Sequence, residues 1–380
     1  MNDLIIRPVK TKADRRAFVD LPWALYSDDP KWRPPLKMDV HNLIAGPKTN
    51  PWFLHAEAAF WLAERGGKVV GRISAQVDEL VLEHMGPGTG QWGMFECIDD
   101  QAVADALFAA AANWLSAKRM TRMLGPFSLS IWDEPGLLVQ GFELPPTVMM
   151  GHHLPYYKRL VHGAGHAEAK TLYAYELAID QGFPKNVNRI VEFAEKSDRI
   201  VMRRVDKSRF DEEAALILDI LNDAWSDNWG FVPLTDAEVA HVGKKLKPIV
   251  YEDFIRICEV DGEPVAFMIT LPDLNELTCD LNGTLLPFGW AKLLWRLRRL
   301  NVDRVRVPLM GVRKSHQSGR VATFMAFLMI EHIRRDAVGK YGVQRGEIGW
   351  ILDDNGPMLS IADVIESKIT KTYKVYEKAL

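Results

Sequence analysis

The sequence predicts a mixed α/β protein built from two tandem copies of one unit, each a mixed β-sheet with flanking helices. Three recurrences carry this reading. Phe60–Asp78, FWLAERGGKVVGRISAQVD, aligns without gaps on Ile255–Asp273, IRICEVDGEPVAFMITLPD, pairing Glu64 with Glu259, Gly67 with Gly262, Val70 with Val265 and Asp78 with Asp273. Ile131–Gly136, IWDEPG, matches Ile351–Gly356, ILDDNG. Lys170–Glu176, KTLYAYE, matches Lys371–Glu377, KTYKVYE, at Lys, Thr, the second Tyr and Glu. The landmarks recur in the same order, which a single chance match does not produce.

Each unit opens on a strand, Ile5–Val9 (IIRPV) and Val201–Val205 (VMRRV), followed by a polar helix start. The aligned segments are apolar on both sides of a Gly turn, which is hairpin grammar because Gly supplies the positive φ that joins twisted strands. Gln101–Arg119 and Arg320–Arg335 are apolar nearly all round, as in a helix wedged between a sheet and a neighbour. IWDEPG and ILDDNG each read as a strand end, an acidic pair and a turn before another amphipathic stretch, and the two KT…YE segments as final strands. Polar and turn residues cluster at Asp180-Gln181-Gly182-Phe183-Pro184, placing the boundary between units 1–180 and 181–380. Two insertions distinguish the copies, Glu143–Tyr157 in the first and Leu285–Arg304 in the second, and individual function tends to sit in such segments.

Composition agrees with two folded domains: 380 residues exceed one compact core, and 48% hydrophobic with 26% charged residues excludes a disordered or fibrous chain. Lys plus Arg is 47 against 50 for Asp plus Glu, so nothing overall asks for nucleic acid. Cys97, Cys258 and Cys279 are too few and too far apart for a disulfide framework or a zinc cluster, and fit a reducing cytosolic address. The opening MNDLIIRPVKTKADRR reads as a strand and not a signal peptide, and the longest apolar runs, Ala106–Leu115 and Val321–Ile330, fall short of the roughly 18–20 residues that cross a bilayer. Walker, paired-glycine dinucleotide, GxSxG and HExxH motifs are all missing.

The order of elements, the hairpin ending at Asp273 and the junction VRVPLMGVRKSHQSGRVATFM resemble the GNAT acyltransferase superfamily in tandem duplication, over almost the whole chain. The resemblance implies acyl-CoA as co-substrate and no metal. It places the cofactor-binding backbone at Met310, Gly311, Val312, Arg313, Lys314, Gln317, Ser318, Gly319, Arg320 and Val321, where N–H groups and a helix N-terminus suit a pyrophosphate. The family signature, Gln or Arg, two residues, Gly, one residue, then Gly or Ala, is only approximated, with His316 at its first position and Val321 at its last. Asn355 stands where the family often has an Asn on the pantetheine arm. The family's Tyr that protonates the leaving sulfur would follow Asn355, yet Met358–Ile369 holds no Tyr, leaving Tyr156, Tyr157 and Tyr373 as candidates. At the equivalent junction the first copy has Glu96-Cys97-Ile98-Asp99-Asp100, whose carboxylates would repel a pyrophosphate. The first unit is therefore expected to be degenerate for CoA and to shape the acceptor site.

Three stretches, GPFSLSIWDEPGLLVQGFELPP with HHLPYY, LNDAWSDNWGFVPLT, and PDLNE, resemble the tandem-GNAT group that includes the bacterial ceramide synthases. That resemblance implies amide formation between a long-chain fatty acyl group and a sphingoid base. The rivals are a short-chain acetyl or aminoacyl transfer, and a non-catalytic acyl-CoA or lipid-binding module.

An ammonium must lose a proton before it attacks, and His152, His153 and Glu134, with Asp223 and Asp273, are the groups able to take it. Adjacent His152 and His153 point in opposite directions on an extended backbone, so one can face a cleft while the other is fixed by the core. Tyr157 joins the catalytic set. Trp132, Tyr156, Asp223, Asn228, Trp229, Asp273 and Asn275 are the acceptor-binding candidates, in stretches whose aromatics suit an aliphatic amine. Each has a bland alternative: Glu134 as a helix cap, the histidines as structural, Trp225 and Phe231 as core, Asn275 as a turn residue. On a helix across the second insertion, Leu293, Leu294, Leu297 and Leu300 share one face, Lys292, Arg296 and Arg299 lie largely elsewhere, and Trp290 and Trp295 border them. Lys292 to Lys314 holds eight basic residues and one acid, a pattern for an anionic membrane surface or a solvated outer face. The expected location is cytoplasmic, with peripheral association on the inner face of the membrane.

Overall fold

The computed structural model describes residues 4–380, the side chain of Arg320 excepted. The chain divides into two compact units: Met1–Leu172 with Thr278–Pro287 and Lys371–Leu380, and Tyr173–Leu277 with Phe288–Thr370. In chain order the first contains β1 (Leu4–Pro8), α1 (Lys12–Leu25), α2 (Lys37–Leu43), β2 (Ala56–Arg65), β3 (Lys68–Asp78), α3 (Glu79–His84), β4 (Thr89–Cys97), α4 (Gln101–Ala117), β5 (Arg122–Gly125), β6 (Leu137–Gln140), α5 (Tyr157–Gly163) and the start of β7 (Ala167–Ala178). The second contains the rest of β7, then α6 (Lys185–Ala194), β8 (Ile200–Arg204), α7 (Phe210–Trp225), α8 (Asp236–Leu246), β9 (Ile255–Val260), β10 (Glu263–Pro272), most of α9 (Leu274–Thr278), α10 (Gly289–Arg299), β11 (Arg304–Val312), α11 (Arg320–Tyr341), β12 (Arg345–Leu352) and α12 (Gly356–Val364). Most of the final strand, β13 (Lys368–Ala379), belongs to the first unit.

The same sheet is built twice. In the first unit β1, β2, β3 and β4 pair antiparallel in series, β4 pairs β5 in parallel, and β13 pairs β5 and β6 antiparallel. In the second, β8, β9, β10 and β11 pair antiparallel in series and β11 pairs β12 in parallel. The repeated hairpins turn at Gly66-Gly67 and at Asp261-Gly262, all four at positive φ, which Gly adopts without strain and Asp tolerates.

Each sheet is closed by its long apolar helix. Val103, Leu107, Phe108, Ala111 and Leu115 of α4 are buried in one core, and Met325, Phe327, Leu328, Met329 and Ile333 of α11 in the other. Full burial of such side chains contributes about 1.5–3 kcal/mol each. Close approach of α4 to β3 depends on Gly71, where an added Cβ would meet Leu107 Cδ1 at 2.8 Å.

Three expectations are corrected. Ile131–Gly136 lies outside the strands, and a four-residue strand paired with β13 follows it where its sister ILDDNG leads into α12. Helix α11 runs past Arg335 to Tyr341, where Gly342 at positive φ closes it. In α10, Leu293 and Leu297 pack on the core and Leu300 is buried, but Leu294 is exposed, so the four leucines do not share a face.

Candidate functional site

The second unit holds an open cleft. Strand β11 pairs with β10 as far as Val312, but with β12 only over Arg304–Val307. The next residue is Pro308, which has no N–H with which to continue a ladder. The two parallel strands part there, and a cleft of about 630 Å³ opens, lined by Met310, Gly311, Val312, Gln317, Gly319 and Asn355, with Asn228 and Trp229 from the segment after α7. A recess of about 50 Å³ lies at the divergence itself, lined by Trp225, Val307, Pro308 and Ile348 among others.

Side chains fix the loop between β11 and α11. Asp223 Oδ2 accepts the Lys314 N–H at 2.8 Å, Gln317 Nε2 donates to Val312 O at 2.8 Å, and Trp225 Nε1 donates to Met310 O at 3.0 Å. Arg313 pairs with Asp219 at 2.5 Å and Lys314 with Asp227 at 2.6 Å. Helix α11 then starts after Gly319, at φ 84° and ψ −170°, with no side chain capping its first turn. Its leading N–H groups are therefore without intrahelical or capping partners, the electrostatic condition for holding an anion.

The first unit treats the matching position differently. Asp100 caps α4, its Oδ1 accepting the N–H groups of Ala102 at 2.9 Å and Val103 at 3.3 Å. Past the short β4–β5 ladder, Phe127 N donates to Trp92 O at 2.9 Å, and a Cβ on Gly93 would sit 1.6 Å from Phe127 O. Backbone fills the fork, and a carboxylate already occupies the helix terminus.

What the first unit carries is a buried polar cluster. Glu96 Oε2 accepts from Tyr26 OH at 2.9 Å and from Tyr157 OH at 2.6 Å, while its Oε1 lies 3.8 Å from Arg72 Nη2. Burial pushes the Glu96 carboxyl up to about 7, against the opposing charge of Arg72 and the two tyrosine bonds. Glu134 shares this electrostatic environment with Arg72 and Glu96. Its side chain is exposed, and the desolvation by surrounding protein pushes its carboxyl up while the Arg72 charge opposes. No helix follows Glu134, so it caps none.

The adjacent histidines do part company. His152 Nε2 lies 2.7 Å from Asp29 Oδ2, its side chain is 2% exposed, and its buried Nδ1 has no protein partner. Burial opposes ionisation of Asp29, but the His152 bond and backbone donors together hold its carboxyl below the ordinary value. His153 Nδ1 accepts the Leu138 N–H at 3.0 Å, and burial pushes its imidazole down to about 3.

No protein-family model matches the sequence. The chain is 45% identical over 379 residues to the protein named bacterial ceramide synthase from Caulobacter vibrioides (strain NA1000 / CB15N), an alignment covering 100% of this chain and 98% of that protein. The chain belongs to the bacterial ceramide synthase family. It is also 40% identical over 377 residues to protein YghO of Escherichia coli (strain K12), covering 99% of this chain and 95% of that one. Among solved structures it is similar to a tandem GNAT protein from the clavulanic acid biosynthesis pathway, at TM-score 0.58 and 12% identity, over 99% of this chain and 98% of the other. A GCN5-related N-acetyltransferase from Sphaerobacter thermophilus matches at TM-score 0.52 and 12% identity, over 100% and 96%. These likenesses give the fold, a tandem GNAT architecture, as the repeated strands and the resemblance led one to expect.

In this member of the bacterial ceramide synthase family the candidate residues fall into two groups. Met310, Gly311, Val312, Gln317, Gly319, Asn228, Trp229 and Asn355 line the cleft of the second unit, and Asn355 also caps α12 by accepting the Met358 N–H at 3.2 Å. Asp223 holds the loop between β11 and α11. Ser318 and Val321 flank the start of α11. Arg320 begins that helix, and its side chain lies outside the described residues. Glu134, His152, His153, Tyr156, Tyr157 and Trp132 belong to the first unit. Tyr157 and Tyr373 are fully buried, Tyr157 donating to Glu96 and Tyr373 to Gly151 O, while Tyr156 donates to Cys97 O. Asp273 and Asn275 do not line the cleft: Asp273 is buried at the end of β10, and its Oδ1 accepts the Asn275 N–H at 3.2 Å. Sequence reasoning missed Asp29, Arg72 and Tyr26, and read Glu96 only as a repulsive charge; no local motif marks any of them.

Proposed function

We propose that this chain transfers a long fatty acyl group from acyl-CoA directly to the amine of a sphingoid-type base, forming an amide and releasing the CoA thiol, as a peripheral protein on an anionic membrane surface. The observation that carries the reading is the full-length likeness to the Caulobacter vibrioides protein named bacterial ceramide synthase. The cleft supplies compatible parts. Diphosphate oxygens would meet the N–H groups at the start of α11, and the pantetheine arm would run past Asn355. Beyond Val307, the alternate β11 N–H groups that face away from β10 are left for the thioester carbonyl.

The acceptor ammonium gives up one proton, its nitrogen attacks the carbonyl carbon, the C–S bond breaks, and the second proton lost by the nitrogen balances the one taken up by the departing thiolate. Glu134 and His152 are the groups assigned to proton removal. His153, whose Nδ1 already accepts a backbone N–H, presents a donor at Nε2. A covalent acyl-cysteine is disfavoured, since burial raises the Cys97 thiol and pushes that of Cys258 up to about 12, and Cys279 sits in no activating motif.

The test mixes the protein with palmitoyl-CoA or acetyl-CoA, with and without a long-chain base, and follows free thiol. Thiol release that needs both palmitoyl-CoA and the base is expected, with a rate rising with pH through the ionisation of Glu134 and lost in Glu134→Gln. Preference for acetyl-CoA would move the reading to short-chain transfer, and binding without release to a lipid-binding module.

A further inference from the structure

Helix α10 has two apolar sides. Leu293 and Leu297 turn inward onto the core of the second unit, and Tyr251 OH and the Arg296 guanidinium fasten the helix through Leu297 O and Leu277 O. The opposite side is unusual. Phe288 is 76% exposed, Trp290 54%, Trp295 55% and Leu294 45%, four large apolar residues within eight positions. Trp290 and Leu294 are one helical turn apart and Trp295 stands beside them, so they form a stripe rather than scattered exceptions.

The charge along the helix itself is of one sign. Lys292, Arg298 and Arg299 are exposed beside it, Arg299 lies over the Trp295 ring at 4.7 Å, and no acid occurs between Phe288 and Val302. Of the eight basic residues from Lys292 to Lys314, Arg304 and Arg306 are buried and Arg313 and Lys314 are paired with aspartates, while Arg298 and Arg299 stay exposed on α10. Two copies meeting through this face would bring like charges together. Anionic lipid headgroups meet the same charges favourably, and tryptophan rings suit the depth just below them.

We infer that the outer face of α10, from Phe288 to Arg299, is a docking surface for anionic lipid. It deepens the proposed reading by naming the surface through which the protein would reach a membrane-dissolved acceptor. No helix among the described residues is long and apolar enough to cross a bilayer, so attachment through this face is interfacial.

The experiment uses no acyl substrate, so it can fail without touching the proposed reaction. The full chain is sedimented with phosphatidylglycerol and with phosphatidylcholine vesicles at low and high salt. Wild type should pellet with phosphatidylglycerol and be released by salt. Trp290→Ser/Leu294→Gln/Trp295→Ser should remain soluble, and Arg298→Gln and Arg299→Gln should each lower partitioning about fivefold. CoA binding and thermal unfolding of the variants should match wild type, because the altered side chains point away from the core. Equal pelleting of wild type and the apolar triple variant would overturn the inference, as would no pelleting of wild type. So would light scattering that shows a dimer dissociated by the triple variant with neither protein on vesicles, which would give the face to a second copy.

Discussion

A carboxylate accepts hydrogen bonds and cannot donate them, so the 2.7 Å contact with Asp29 places the His152 proton on Nε2 and leaves the lone pair on Nδ1. The same reasoning at His153 gives a different group: its Nδ1 lone pair is used by the Leu138 N–H, so Nε2 carries the proton and is a donor. Two identical residues side by side thus offer one acceptor and one donor. Asp29 is a positioning residue for His152, which makes Asp29→Asn informative: an amide that donates to Nε2 would move the ring proton to Nδ1 and abolish the acceptor. The expected outcome is a loss in kcat of about 10²-fold or more, with KM for acyl-CoA unchanged. Nitrogen-15 NMR of the histidines should show the tautomer change. An altered tautomer with an unaltered rate would remove His152 from proton transfer and leave Glu134.

Two matching helix starts differ in whether a side chain caps them. Asp100 satisfies the first N–H groups of α4, while α11 begins behind a glycine with no capping side chain. Gly319 combines φ 84° with ψ −170°, a region open essentially to Gly, and nothing lies within 4 Å of the place a Cβ would take. The cost of Gly319→Ala is therefore conformational, about 1–3 kcal/mol, and falls on the loop. CoA affinity measured by calorimetry should drop about tenfold for about 1.4 kcal/mol. Wild-type affinity in this variant would mean that the turn does not contribute to the cofactor site.

For the molecule as a whole, duplication followed by divergence predicts that one half answers to CoA. Hydrogen exchange with and without CoA should show protection at 310–323 and 354–361 in the second unit and none at 97–104 in the first. Protection confined to 97–104 would assign CoA to the first unit and reverse the division of labour.

The sequence by itself determined the repeat, the hairpins, the long helices and the Gly319 turn before α11, because these depend on spacing along the chain: apolar period, Gly at turns, Pro and Gly at breaks. It also delivered the family, through contiguous stretches. Only tertiary structure decided which side of α10 faces the core, since Leu294 and Leu297 look alike in sequence and differ in what packs against them. It alone took half of the eight local basic residues off the free surface, by burying Arg304 and Arg306 and by pairing Arg313 with Asp219, 94 residues away, and Lys314 with Asp227. It alone joined Asp29 to His152 across 123 residues, and Tyr26 and Tyr157 to Glu96. Convergence of distant side chains is set by how elements pack, and no local spacing encodes it.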